Sequence, residues 1–229
     1  MEFLNGGEIK KSETANIIIY SKQGGGKTTV AGLLPGKTLM LSIDGTEQVL
    51  EGYTNVDVAK INKDDPHNSI IEFYKIAKMK QNEYDNIFID NLSHYQKLWL
   101  IQKGKHSKSG MPELKDYALF DNHILSIMEA FNVLNANCIY TFWETTRTIT
   151  HEDGQTYTQF VPDIRDKIIN HLLGVVHVVG RLMTKSDGER GFLFKGSESV
   201  FAKNHLSKSN GCPQNQLIES LKGSLSLEK

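Results

Sequence analysis

Apolar residues in this chain gather into short unbroken runs separated by longer segments in which they recur every three or four positions. Residues 15–20 read ANIIIY, 38–43 TLMLSI, 86–90 NIFID and 138–143 CIYTFW. Runs of this length, rich in β-branched and aromatic residues and without polar alternation, suit strands buried on both faces. A short helical stretch reaches Leu34, and a second helix spans 68–80 through Ile70, Ile71, Phe73, Tyr74, Ile76 and Ala77. A third falls near 93–101. The longest covers 113–134, with Leu119, Phe120, Ile124, Ile127, Met128, Phe131 and Leu134 on one stripe. Residues 55–62 hold an edge strand. This alternation of strand and helix predicts an α/β fold with a mainly parallel sheet. A helix at 163–173, capped by Asp163, is followed by VVHVVGRLMT, RGFLFKG and SVFAKN, which read as antiparallel strands added at the C-terminal side. Two polar stretches, 102–112 and 144–162, read as exposed loops. Residues 1–14 read as a flexible lead, 15–205 as the folded domain and 206–229 as a polar tail.

Composition narrows the class. With 229 residues, 39% apolar and 23% charged, the chain can bury a core as one ordinary domain. Its 26 Lys and Arg against 27 Asp and Glu exclude the strongly basic nucleic-acid packagers and leave room only for a small basic site. Cys138 and Cys212 form no CxxC pair and the histidines no HExxH, so neither a disulfide framework nor a zinc site is expected. The longest near-continuous apolar run, 172–180, is broken by His177 and too short for a bilayer. A cytoplasmic protein that neither spans a membrane nor is secreted is expected.

Candidate chemistry concentrates where the first strand ends. Ser21-Lys22-Gln23-Gly24-Gly25-Gly26-Lys27-Thr28, continued by Thr29, lies between a buried strand and a helix. Glycines there let successive backbone N–H groups turn toward phosphate oxygens, and the helix start adds a partial positive charge. Lys27 reaches the β- and γ-phosphates, and the Thr28 hydroxyl ligates magnesium. Ser21 stands where the usual pattern has glycine. Such a loop calls for a carboxylate at the end of a neighbouring strand to hold magnesium through water, and Asp90, closing NIFID, supplies it. A group that orients or deprotonates the attacking water is also needed. Glu47 is the first candidate and Asp44 the second, both beyond the carboxyl end of the 38–43 strand.

IIIYSKQGGGKTTVAGLLPGKTLMLSIDGTEQVL at 17–50 and YDNIFIDNLS at 84–93 make the chain resemble phage P-loop nucleotide-binding proteins of the RecA-like ATPase class, over residues 15–205. The resemblance implies an ATP-binding and ATP-hydrolysing recombination protein that uses Mg2+, acts on single-stranded DNA in annealing or strand pairing, and works as a homo-oligomer, ring or filament. It puts Glu47 in the place of the water-activating glutamate, although DGTE is one residue longer than the family's DAE, which keeps Asp44 in play. Glu144 stands where the family has a γ-phosphate-sensing glutamine. Lys103, Lys105 and Lys108 fall in a region like the first DNA-binding loop and Arg147 in one like the second. Trp143, Tyr157 and Phe160 are placed to stack on bases. Lys203, with His205 beside it, resembles residues that reach a neighbouring subunit's ATP, and Arg181 is its rival. Two other readings stay open: a small-molecule phosphotransferase of nucleoside-kinase type, and a non-hydrolysing nucleotide-dependent interaction module in phage replication or packaging. The arginines, Arg147, Arg165, Arg181 and Arg190, do not cluster as a kinase lid requires.

Overall fold

β1 (Asn16–Ser21) is buried at every position, as a strand flanked by neighbours on both edges and covered on both faces must be. In the computed structural model, which describes residues 12–222 together with Phe3, Asn5 and Gly7, it lies inside a ten-stranded mixed sheet. It leads through the glycine loop into α1 (Lys27–Leu33). β2 (Thr38–Ser42) follows, then β3 (Val56–Lys60), α2 (Pro66–Met79), β4 (Asn86–Asp90) and α3 (Leu92–Lys105). α4 (Leu114–Asn132) leads to β5 (Asn137–Thr150), β6 (Thr156–Pro162) and α5 (Asp166–Gly174). β7 (Val178–Thr184), β8 (Arg190–Leu193), β9 (Lys203–Asn204), β10 (Gly211–Pro213) and α6 (Leu217–Lys222) complete the order. The strands are arranged β10-β8-β7-β1-β5-β4-β2-β3, with β6 on β5 and β9 on β7. The six from β7 to β3 run parallel, and β6, β8, β9 and β10 are each joined to their neighbour by antiparallel pairing. The expected fold class, an α/β core of P-loop NTPase type with antiparallel additions, is the one observed.

Strand periodicity divides the core in two. Ile18, Tyr20, Leu39, Leu41, Ile87 and Ile89 face α2, α3, α4 and α5, whereas Ile17, Ile19, Met40 and Phe88 face α1 and α6. Register then brings the carboxyl ends of the strands to one edge. Ser42 pairs with Asp90, Ile89 with Tyr140 and Ser21 with Trp143, so the two loops and the two acids named above meet there.

Five sequence expectations are corrected. Residues 144–162 form a hairpin rather than a loop: β5 runs on past the sheet and pairs with β6 from Glu144 opposite Pro162 to Thr150 opposite Thr156. The hairpin's more covered face is lined largely by polar residues such as Arg147 and Gln159, so the apolar alternation is weak and its threonine-rich β-propensity is the better guide. α3 continues to Lys105, so Lys103 and Lys105 belong to a helix end, where cations are favoured, and only the segment after it is a loop. Asp163 does not cap α5. Its N–H binds the Trp143 carbonyl, and Arg165 takes the cap position. Residues 206–222 do not trail away either: Leu217, Ile218 and Leu221 are buried against Val30, Ala31 and Leu34 in the second core layer. The strand expected at 199–204 is reduced to β9, with Val200 bridged to Phe160. Most of the lead, 1–14, and the end of the tail, 223–229, lie outside the described residues. Among the described residues no helix is long and apolar enough to cross a membrane.

Burial of α6 gives a direct test. Leu221→Ala removes a side chain at 2% exposure and is expected to cost about 2–5 kcal/mol in urea unfolding. A solvated tail would lose less than about 0.5 kcal/mol from the same change.

Candidate functional site

The glycine loop closes because each glycine meets a separate constraint. Gly26 has φ 89°, a left-handed conformation at the start of α1. Gly25 has no room for a side chain, since a Cβ there would stand 2.5 Å from Ser21 Oγ. The serine in the usual glycine position is therefore in use. Lys27 Nζ donates to Ser21 Oγ and Ser21 O, both at 3.1 Å, and to Lys22 O at 3.0 Å. Burial lowers the Lys27 pKa, and the charges of Asp90, Asp44 and Glu144 oppose that shift.

Asp90 sits at the carboxyl end of β4 with 1% exposure. Thr28 Oγ1 donates to its Oδ2 at 2.5 Å, and Thr141 Oγ1 donates to its Oδ1. Burial, reinforced by the charge of Asp44, pushes its pKa up to about 6. The polar chain continues outward. Thr28 Oγ1 and Thr46 Oγ1 are 2.8 Å apart, Thr46 Oγ1 donates to Asp44 Oδ1 at 2.7 Å, and Asn91 Nδ2 donates to Asp44 Oδ2 at 3.2 Å. Gln23–Thr29, Asp44 and Thr46 line a cleft of about 510 Å³, together with Val49, His94, Trp143 and Arg190.

Backbone donors of the glycine loop, with a lysine, a hydroxyl and two carboxylates grouped beyond them, are a donor set for an anion bridged to a hard divalent cation. Magnesium fits these oxygens, because it holds one or two carboxylates and keeps several waters. Among the described residues no group of three or more His, Cys, Asp or Glu forms a metal cage. Phosphate oxygens and water would complete the shell.

The remaining candidates separate. Glu47 lies in a 3-10 turn at Glu47–Leu50 and is turned out of the cleft. Its Oε1 pairs with Lys60 at 2.6 Å and its Oε2 accepts from Ser42 Oγ at 2.5 Å. Lys60, then Ser42, hold its pKa down to about 2. Glu144 is tied to Arg181 by two bonds of 2.7 and 3.2 Å, with the Arg181 guanidinium 3.8 Å over the Phe160 ring. The pair stands beside Ser21, Lys22 and Gly25 in a smaller cavity. Lys203 donates to Gly174 O at 3.3 Å and pairs with Val179, in register with Ile18 rather than with the strand exit. His205 binds the His177 carbonyl through its N–H. Lys103 covers Trp99, Lys105 pairs with Asp64 at 3.5 Å, and Lys108 is exposed in the loop after α3. Asp64 lies just past the carboxyl end of β3, which keeps this lysine segment on the same edge as the cleft. Arg147, on the hairpin, donates to Gln159 of β6 and to Asn170 of α5. Tyr157 meets the His151 ring edge to face, and Trp143 reaches the cleft under Lys97.

Sequence reasoning missed Thr46, Asn91, Thr141, His94, Val49, Arg190 and Gln214. Thr46 and Asn91 adjoin the acids already singled out, and that adjacency was the available signal. Arg190 and Gln214 carry none.

A family model described as AAA domain matches residues 13–206, which includes every element from β1 to β9. The chain belongs to the AAA domain family. The match marks residues 13–206 as a P-loop NTPase domain, and nucleotide binding and hydrolysis are the activities such an AAA domain indicates. No curated protein matches the chain. The AAA domain match stops before β10 and α6, although Gln214, between them, donates to Gly26 O at 2.8 Å.

Asp90 gives the site a pH signature. Its pKa is raised in the folded chain from 3.8 to about 6, so the stability it contributes is full below about pH 4 and lost as pH rises through about 6. A cation requires the ionised form. Magnesium-dependent nucleotide affinity is therefore expected to strengthen as pH rises through 6, and Asp90→Asn to remove that step. Calorimetric titration at pH 5–8 measures it, and a flat profile for the parent chain would take Asp90 out of the cation site.

Proposed function

We propose that this protein is a magnesium-dependent ATPase that works on single-stranded DNA as an oligomer. The observation that supports the ATPase reading is the chain of polar contacts in which Thr28, Thr46 and Asp44, lining the cleft beside Lys27, lead to the buried Asp90 behind it. Lys27 exchanges its contacts with the strand exit for phosphate oxygens. A bound magnesium ion would supply neutralisation of phosphate charge. Thr28 offers its hydroxyl and Asp90 its carboxylate toward that ion, the latter through water. Asp44 orients the attacking water, held in place by Asn91 and Thr46. Glu47, locked to Lys60 and Ser42, instead fixes the turn that carries Asp44.

The DNA reading draws on the edge that carries the cleft. Lys103, Lys105 and Lys108 on one side and the hairpin with Arg147 and Tyr157 on the other offer cationic and aromatic groups to a strand. Lys203 lies away from its own cleft and is the group to meet an adjoining copy.

Asp44→Asn is expected to lower ATP hydrolysis roughly 10²- to 10⁴-fold with ATP binding retained. Glu47→Gln should cost less than about tenfold. The reverse ranking in a phosphate-release assay gives the water to Glu47. Adding single-stranded DNA is expected to accelerate phosphate release and, with ATP, to increase particle size in light scattering. Changing Lys103, Lys105 and Lys108 together to Ala should lower DNA affinity and flatten a salt slope of about two log units per decade, at about 0.7 per phosphate. Hydrolysis indifferent to DNA, with an unchanged slope, would remove the DNA reading and leave the ATPase.

A further inference from the structure

Arg147 donates to Gln159 and Asn170, Arg165 to Asp121, and Arg181 to Glu144. Arg190 is different: among the described residues no carboxylate or carbonyl accepts from its guanidinium. The acid next to it in sequence, Glu189, is engaged by Lys185 at 2.9 Å. Yet Arg190 is partly buried and faces the cleft. Its planar head lies so close to the phosphate loop that a Cβ on Gly26 would stand 2.6 Å from Nη1 and 2.9 Å from Cζ.

Its support is built in. Arg190 opens β8 opposite Thr184, in a hairpin whose other strand, β7, is hydrogen-bonded to β1. The Gln214 amide grips the Gly26 carbonyl, so the C-terminal segment braces the same glycine. A partly buried guanidinium with no protein acceptor, held against a loop of backbone donors, is placed to exchange its water for an anion bound there.

Position decides which part of the anion it meets. Lys27, Thr28 and Asp90 mark the end of the site that takes the terminal phosphate and the cation, whereas the glycine backbone cradles the inner phosphates. We propose that Arg190 is a ligand of the α- and β-phosphates, gripping nucleoside diphosphate and triphosphate alike. This rests on the nucleotide-site reading above. The β7-β8 hairpin is then a clamp on the inner phosphates, and ADP keeps the contact after the terminal phosphate has gone.

The test is equilibrium binding of ATP and ADP to the full chain, with Lys27→Ala as the reference and thermal melts as the fold control. Arg190→Gln and Arg190→Ala are expected to weaken both nucleotides by the same factor, roughly 10- to 100-fold. Arg190→Lys should recover part of the loss, because it restores the charge without the bidentate fork. ADP affinity unchanged in Arg190→Ala while Lys27→Ala loses both nucleotides overturns the inference and spares the site. Loss confined to ATP also overturns it, in favour of the terminal phosphate. If the parent chain binds neither nucleotide, the site reading falls and the inference with it.

Discussion

The structure turns on a buried carboxylate. Asp90 is at 1% exposure in the middle of the sheet, where an unpartnered charge would cost several kcal/mol. It is tolerated because Thr141 from β5 and Thr28 from α1 donate to its two oxygens. Those bonds exist only if β4 and β5 keep their register and α1 starts directly after the glycine loop. One acid therefore couples the phosphate loop, the neighbouring strand and the central strand. The satisfaction is incomplete, for Asp44 adds like charge and the Asp90 pKa stays raised.

The same accounting of partners sorts the other charges. Glu47 and Glu144 have cations of their own, Lys60 and Arg181, whereas neither Asp44 nor Asp90 has an ion-pair partner among the described residues. Among the arginines Arg190 alone lacks an acceptor, and it too lies in the cleft. Charges closed on one another hold loops in place, while those left open face the cavity.

The hairpin beyond the sheet is joined to this apex rather than appended to it. A two-stranded ribbon is marginal in water. Here Arg181 covers Phe160, and Tyr20, one residue before the strand exit, donates from its hydroxyl to the carbonyls of Phe160 and Phe201. These contacts fix the base of the ribbon to the strand that carries the phosphate loop.

Local patterns determined the buried strands, the glycine loop and Asp90, because burial on both faces and a loop of successive glycines each leave a contiguous trace. The choice between Asp44 and Glu47 was beyond them. The two acids sit three positions apart on one turn, and only the approach of Lys60 and Ser42 from neighbouring strands draws Glu47 out of the cleft. α6 was faint because six residues make little helix by themselves and gain their stability from the layer they cover. The lysines of 102–112 and the threonines of 144–150 looked like loop because polarity reports exposure, and exposed helix ends and ribbons are polar as well. Arg190 left no trace at all. Its place over Gly26 is set by the pairing of β7 with β1 and of β8 with β7, and contacts between residues so far apart in the chain are decided by the tertiary fold alone.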